Sequence, residues 1–590
     1  MMKRKLAAIA GGLYLAAAMG VCIWNSVSVN AELPEEQGEE VRAEATTAPS
    51  MRDPGRSLLP IANSLAYGTA GQEELYIDSG EVYLQEGDTV SLLEAYAMPP
   101  LERMSGEDFP KYMDGLQVLE RIERMGLEPA SFFTPEYDWK AVYADSLTTV
   151  KTALDFSEEV DFRGNTASQL NAFLTGCERV SVNIRAEEIL LDETIRVPSN
   201  VVLKGNGACI SGTAAGGDDV AAYAFLLEDV ENVGICGFRL DGGFGQGIYV
   251  LNSKVCLIWD NEITDAAYKA VCIMADSSYI NLVNNRIYEN GNGAVFLNGD
   301  ISSCIIQGNE ICQNRGTRNL TAGIVFASME VEDPYTPYNE FKDEHLYDQL
   351  DSPHHNVVRD NRIRGNLSSG FYCDGGYLNY ILDNLIADNE KEGMCLDYGT
   401  FGVYVSGNTI CRNGNRKRQT DEDLEADFIL EAGRLEDGSS TAKLPGISID
   451  NSAYNIVMEN MVSDNAGSGI KMVRSAYRNL ILSNLVSDNN RGKNEAFHGF
   501  GIEFGHASDP DEPVIGLDFT ADYENIAARN VISGGHYAGI FLAEGSYCND
   551  LIDNVVMDSE FYSVENHSHL YNSSVGNTVN RDALNYGLNQ

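Results

Sequence analysis

Short apolar runs, each closed by an asparagine, recur through the second half of the chain and govern how the rest is read. Leu257-Ile258-Trp259-Asp260-Asn261, Ile280-Asn281-Leu282-Val283-Asn284-Asn285 and Ile305-Ile306-Gln307-Gly308-Asn309 lead a series whose later copies end at Asn361, Asn384, Asn408, Asn460, Asn484, Asn530, Asn554 and Asn577. Most successive gaps are 23 or 24 residues, and three are 52, 52 and 46, each a coil with an insertion or a pair of coils. Runs this short cannot cover their own apolar faces, so units of this period stack into a solenoid that shares one core. Three runs fit a unit, as at 379–383, 385–387 and 393–398, and each is too short for a helix. Leucine-rich repeats have a similar length but need a Leu-x-x-Leu-x-Leu pattern that is missing here. Upstream the period changes. Leu116, Leu119 and Ile122 fall at helical spacing, as do the apolar residues of 139–154, which predicts a small, mostly helical module over residues 57–164.

One strand of the unit follows a Gly or Ala and can be aligned from coil to coil. Its copies begin at Gly247, Ala270, Ala294, Gly323, Gly370, Gly393, Gly446, Gly469, Gly501 and Gly539. Side chains alternate across a strand. The second and fourth residues are apolar nearly throughout, as in Ile324 and Phe326, Met394 and Leu396, and Ile502 and Phe504, so they are expected to fill the solenoid. The third and fifth are then expected to face solvent. At the fifth position Asp374, Asp397 and Asp450 follow one another on consecutive coils, while Lys471 lies one coil further on, in the neighbouring file. Like charges in register on adjacent strands destabilise a sheet unless a raised pKa, a bound cation or a nearby Lys or Arg offsets them. Long insertions at 328–353, 412–445 and 490–500 border the same strand, and the first carries Tyr335, Tyr338, Phe341, His345 and Tyr347. Loops of this kind on a rigid scaffold shape binding clefts.

The repeat resembles the right-handed parallel β-helix of the pectate-lyase-like superfamily, over about residues 165–590. The resemblance implies that the turn asparagines stack into a hydrogen-bonded ladder. Three acids with a base one coil later look like the arrangement in β-helical polygalacturonase-type hydrolases, where Asp residues of neighbouring coils act as acid and base and Lys or Arg holds the substrate. The motifs differ: Cys373-Asp374-Gly375-Gly376, Leu396-Asp397-Tyr398-Gly399 and Ile449-Asp450-Asn451 stand here, without the Asn-Thr-Asp, paired Asp-Asp or Gly-His-Gly triplets of that family. The reading is a glycoside hydrolase acting on a poly- or oligosaccharide, with Asp374, Asp397 and Asp450 in acid and base roles. Lys471 and Arg474 are expected to position substrate, and Tyr372, Tyr398 and Glu503 to line subsites. His355, in the pair His354-His355, and His506 are further candidates that could orient a carboxylate or simply cap a turn. No cofactor is expected. One alternative is a polysaccharide lyase or uronan C5-epimerase, in which the three Asp would hold Ca²⁺ and Lys471 or Arg474 would be the base. A second is a carbohydrate-binding surface protein without catalysis.

Composition narrows the partners. The chain has 590 residues, with 88 Asp and Glu against 41 Lys and Arg, for a net charge of −47. Such a surface repels phosphate backbones, and no basic stripe compensates, so nucleic acid is not an expected partner. A hydrophobic fraction of 44% is ample for a core. Residues 1–5 are basic, 6–24 are apolar, and Val29-Asn30-Ala31 offers a small-residue cleavage site, so 1–31 read as a secretory signal peptide and 32–56 as an acidic flexible leader. No other apolar run is long enough to span a bilayer. The expected location is extracellular. Cysteines such as Cys256, Cys304, Cys373 and Cys411 fall at apolar repeat positions, where a free thiol acts as a small hydrophobe. No His-Glu-x-x-His zinc spacing or Gly-x-Ser-x-Gly elbow occurs.

Overall fold

The computed structural model describes residues 138–580, apart from 213–220, 317–318, 329–351, 415–443, 475, 492–497, 506–521, 544–545 and 569–571, together with 81–83, 89–91, 118–128, 132 and 584–585. The expected signal peptide and leader lie outside the described residues, as do most of the three insertions, with Tyr335, Tyr338, Phe341, His345 and Tyr347 of the first. Among the described residues the repeat is built of three all-parallel sheets. Sheet I has 15 strands, from Glu158–Phe162 to Ser573–Val575, and sheets II and III have 14 each. Sheet I opens with Glu158–Phe162 paired to Val180–Ile184, ahead of the expected start at residue 165. Each coil contributes one strand to each sheet, so a strand pairs only with its counterparts in the coils above and below.

From the strand Glu231–Cys236 onward, sheets I and II meet at a corner of two residues; in the two coils before it the corner is longer. Strands such as Ile305–Gln307 and Glu310–Cys312 are separated by two residues, and the first of these, here Gly308 with φ 67°, is left-handed. Asp260, Asn284, Asp360, Asp383, Glu459, Ser483, Arg529 and Asp553 hold the same conformation at the same place. A single left-handed residue reverses the pleat and turns the chain sharply. The second corner residue is the recurring asparagine. Its side-chain amide donates to the oxygen of the next asparagine, from Asn261 to Asn285 at 3.1 Å through to Asn554 to Asn577 at 2.9 Å. The long gaps are single coils with insertions, because Asn309 bonds Asn361 directly, Asn408 bonds Asn460, and Asn484 bonds Asn530. Two further ladders escaped the sequence reading: Asn290 to Asn314, Asn366, Asn389, Asn413, Asn465 and Asn489, and a column through Asn455, Asn479, Asn525, Asn549 and Asn572.

Replacing Asn408 with Ala tests the ladder. Asn408 Oδ1 accepts from both the backbone N–H and the amide of Asn384, and its amide donates to Ile381 O at 2.8 Å. Each buried group left unpaired costs about 1–3 kcal/mol, so the urea midpoint is expected to fall well below that of the wild type.

The inward register is as expected: Ile324, Phe326, Met394, Leu396, Ile502 and Phe504 are fully buried in one continuous core. Helix α1 is Val118–Arg124, α2 is Trp139–Ala153 and α3 is Ala167–Leu174. The amphipathic α3 closes the N-terminal end of the solenoid, placing Ala167, Leu170 and Leu174 in the same core. Trp139, Val142 and Tyr143 of α2 pack on Val357, Tyr380 and Leu382 of sheet I. Val118 and Ile122 of α1, with Phe132, pack on Tyr377, Leu378, Phe401 and Tyr454, which lie in the turns after sheet III. The two helices foreseen upstream thus lie directly against the solenoid wall.

Candidate functional site

Sheet III carries the acid file. Strand Phe371–Asp374 pairs with Met394–Asp397 so that Asp374 faces Asp397. Leu396 then faces Ile449, which brings Asp450 into the same column. With parallel strands about 4.8 Å apart, the three carboxylates follow at single strand steps. The expectation that this register opens to solvent is corrected. Asp374, Asp397 and Asp450 are 1%, 3% and 6% exposed, and Tyr372, Lys471 and Glu503 are equally buried. The reason is that the outer face of sheet III packs a layer of its own. Tyr223, Leu226, Tyr249, Leu251, Phe296 and Val325 form an apolar cluster that runs into Tyr372 and Cys395 beside the acids. The file reaches the surface at Tyr398, 36% exposed, and at the side chain of Arg474, 33% exposed.

Burial forces each acid to be offset, and the three are handled differently. Burial and the neighbouring Asp397 hold the Asp374 carboxyl well above the usual carboxylate range, with Ser328 Oγ donating to Oδ1 at 3.4 Å. Burial also raises Asp397, but Arg474 and the Tyr372 hydroxyl oppose the rise. Tyr372 Oη donates to Asp397 Oδ2 at 2.7 Å, the Tyr398 N–H donates to Oδ1 at 2.8 Å, and Arg474 Nη2 lies 3.6 Å from Oδ1. Asp450 is held by both Nε and Nη2 of Arg474. The foreseen roles of Arg474, Lys471 and Tyr372 as open substrate contacts are corrected accordingly. Arg474 neutralises Asp450 and Asp397, Lys471 sits 3.6 Å from Glu503, and Tyr372 fixes Asp397 from within. Glu503 also accepts from Ser468 Oγ at 2.5 Å.

Of the histidines, His355 stands apart from the file. It lies in the turn after sheet III, one coil before Tyr377, with its Nδ1 at 2.7 Å from His354 Nδ1, and His354 reaches Asp300 at 2.8 Å and stacks on Tyr377 at 4.8 Å. Burial, reinforced by His354, lowers the His355 pKa to about 4, so it is neutral at pH 7. It props up a column of rings that continues from Tyr377 to Phe401 at 5.3 Å. His506 lies outside the described residues.

Two groups near the file were not anticipated. Arg121 of α1, itself 3% exposed, donates to Gly375 O at 2.9 Å and Gly399 O at 2.7 Å, the residues just past the Asp374 and Asp397 strands. Gly375 has φ 73°, which suits glycine, and an added Cβ would collide with Ser328. Asp522 is fully buried, and burial pushes its carboxyl well above the usual carboxylate range. It occupies the turn position where Thr400 and Ser452 of earlier coils donate to the carbonyls of Asp397 and Asp450. Nothing local in the sequence signals Arg121, since it meets its partners 254 and 278 residues later. Truncation to Ala is expected to lower stability by about 1.5–3 kcal/mol for each charged hydrogen bond lost. Urea denaturation, with Arg121→Lys recovering part of the loss, measures this.

Among the described residues no three or more His, Cys, Asp and Glu side chains converge as a metal site, and the place between Asp397 and Asp450 that Ca²⁺ would take holds the Arg474 guanidinium. The eleven described cysteines are all free thiols, nine of them buried.

Residues 223–410 match the family model for the right handed beta helix region, and residues 339–496 match the model of a periplasmic copper-binding protein, NosD. Among the described residues of that stretch no group of three or more His, Cys, Asp and Glu side chains converges. No curated protein matches the chain. Among solved structures, the A-module of the mannuronan C-5 epimerase AlgE6 of Azotobacter vinelandii is 15% identical, with 73% of this chain and 99% of that chain covered and a TM-score of 0.43. The catalytic domain of a GH87 alpha-1,3-glucanase with bound tetrasaccharides is 13% identical, covering 73% and 69% at a TM-score of 0.42. PfbA, a surface adhesin of Streptococcus pneumoniae, is 12% identical, covering 70% and 88% at 0.39. The chain carries a right-handed parallel β-helix, and the strands of Asp374 and Asp397 both fall inside the stretch matched as one.

Proposed function

We propose that this protein is a secreted glycoside hydrolase that cleaves a neutral poly- or oligosaccharide at the Asp374–Asp397–Asp450 file. The observation that carries the reading is the unequal treatment of three acids in one register. Burial and Asp397 push the Asp374 pKa well above the usual carboxylate range, while Asp397, also raised by burial, is drawn back by Arg474 and the Tyr372 hydroxyl, and Asp450 is paired with Arg474. A protonated and an ionised carboxyl side by side are what glycoside hydrolysis needs. In this reading a glycan enters where the file reaches the surface, at Tyr398 and Arg474, and displaces the side chains that bury it; Asp374 then gives its proton to the leaving glycosidic oxygen, Asp397 is the ionised partner, and Asp450 anchors the guanidinium beside them. A single strand step of about 5 Å matches the carboxyl separation of retaining enzymes. A net charge of −47 supports a neutral glycan over a polyanion. Export is supported by the basic, apolar and small-residue succession of residues 1–31.

The lyase or epimerase alternative needs an uncommitted base and a cation for the uronate carboxylate. Arg474 is engaged with Asp450 and Lys471 lies against Glu503, which favours hydrolysis. The test is a screen of neutral and uronic glycans read by reducing-end release and by the ultraviolet absorbance of unsaturated products, for wild type and the three Asp→Asn variants. Hydrolysis lost in Asp374→Asn and Asp397→Asn supports the reading. Unsaturated products, or full activity in all three variants, would overturn it.

A further inference from the structure

The outer face of sheet III does not end at the acids. From the strand of Asp450 the register runs Ser448 to Lys471, Lys471 to Glu503, Glu503 to Phe541 and Phe541 to Glu565. Four strand steps of about 4.8 Å put Glu565 roughly 20 Å along the solenoid axis from that strand. Here the face changes character. His498, Tyr537 and Phe561, one from each of three coils, stack ring on ring, with centroids 3.8 Å apart for the first pair and 4.5 Å for the second. Phe561 is 55% exposed, a large apolar ring at the surface of a strongly acidic protein. Among the described residues no ring follows it in the stack. Beneath these rings Phe541 stacks on Phe500 at 4.2 Å.

A second, independent feature lies beside the rings. Glu565 is 7% exposed. One of its carboxylate oxygens takes His567 Nε2 at 2.7 Å, and the other, Oε2, is buried with no hydrogen-bond partner. A buried carboxylate oxygen left unmatched is costly in a folded protein unless a donor arrives from elsewhere. The rings define which donor. His498 and Tyr537 occupy one another's faces, so no cage is formed of the kind a cation needs. What is offered is one flat apolar face at Phe561 with an acceptor nearby, and a pyranose has the matching pair, a face of C–H groups and a rim of hydroxyl donors.

We propose that Phe561 and Glu565 form a distal sugar-binding subsite on the same face as the acid file, occupied by a neutral glycan chain long enough to reach both. Phe561 takes the face of one sugar ring, and Glu565 Oε2, four residues further on in the strand Tyr562–Asn566, accepts a hydroxyl of a neighbouring sugar of the glycan. This deepens the hydrolase reading and rests on it for the substrate class: a site of this length selects internal stretches of a polysaccharide rather than a disaccharide.

The test uses the full chain and affinity electrophoresis through gels containing mixed-linkage β-glucan, xylan, galactomannan or dextran, with polygalacturonate as the acidic comparison. Wild type is expected to be retarded by at least one neutral glycan. Phe561→Ala is expected to weaken that retardation about tenfold, and Glu565→Gln several-fold. Because Phe561 is exposed, its truncation leaves the core intact, which unchanged thermal unfolding verifies. Retardation equal to wild type in both platform variants, or no retardation of wild type by any neutral glycan, overturns the proposal. The acid file is judged separately, on a short oligosaccharide. Loss of glycan binding in the platform variants with undiminished hydrolysis by Asp374→Asn would uphold the subsite and dismiss the file.

Discussion

Asp374→Asn is expected to abolish most turnover, by about 10²–10⁴-fold, the range over which a positioned proton donor contributes, while leaving the protein at least as stable as wild type at pH 8. The two halves of this expectation have one cause. Burial and Asp397 raise the Asp374 pKa in the folded chain well above its unfolded value. The stability that such a group contributes is complete below the unfolded pKa, about 3.9, and is lost as pH rises through the folded pKa. Asn has nearly the same shape, keeps a donor and an acceptor, and never ionises, so it removes that loss. The stability gap between variant and wild type should therefore narrow as pH falls from 8 to 4, which thermal melts at the two pH values would record. Turnover within twofold of wild type would show that Asp374 is not the acid.

The second large effect is structural. Arg478 and Glu524 sit on adjacent coils with fully buried side chains, Nε and Oε2 2.6 Å apart. Removing one partner of such a pair leaves a buried charge uncompensated, which costs about 3–5 kcal/mol, whereas replacing both by apolar groups of similar volume is often neutral. Arg478→Met is thus expected to lower stability by about that amount, and Arg478→Met/Glu524→Leu to recover most of it. Urea unfolding of the two single variants and the double variant completes the cycle. A double variant no better than Arg478→Met would mean that the two charges do not depend on each other.

The parts of the fold that depend on repetition were legible in the chain. Asparagine at a fixed interval, apolar residues in alternate positions after a glycine, and three aspartates at one offset are periodic signals, and the register of Asp374 against Asp397 follows from counting. The parts that depend on what one coil does to the next were not. Alternation says that Asp397 points outward, but it cannot say that Tyr372, from the coil before, lies against it with a 2.7 Å hydrogen bond. Lys471 and Arg474 read as free cations because their partners, Glu503 and Asp450, are remote in sequence and adjacent only through stacking. Arg121 was the least visible, since it belongs to a helix outside the repeat and acts on backbone carbonyls that carry no residue signature. The second and third asparagine columns were readable in principle at the same interval.

The corner between sheets I and II, two residues long in every coil from the strand Glu231–Cys236 onward, has a consequence for what the fold can vary. Between described strands of the repeat, the long intervals at 212–221, 327–357, 411–447, 487–502 and 504–526 each adjoin a sheet III strand, and none falls at that corner. A lengthened corner within the ladder would break the amide chain that fastens each coil to the next, whereas length added beside the sheet that carries the acids leaves it intact. One seam keeps the stack in phase while the opposite wall is free to diversify, so segments there could be exchanged for others to alter specificity without disturbing the assembly beneath.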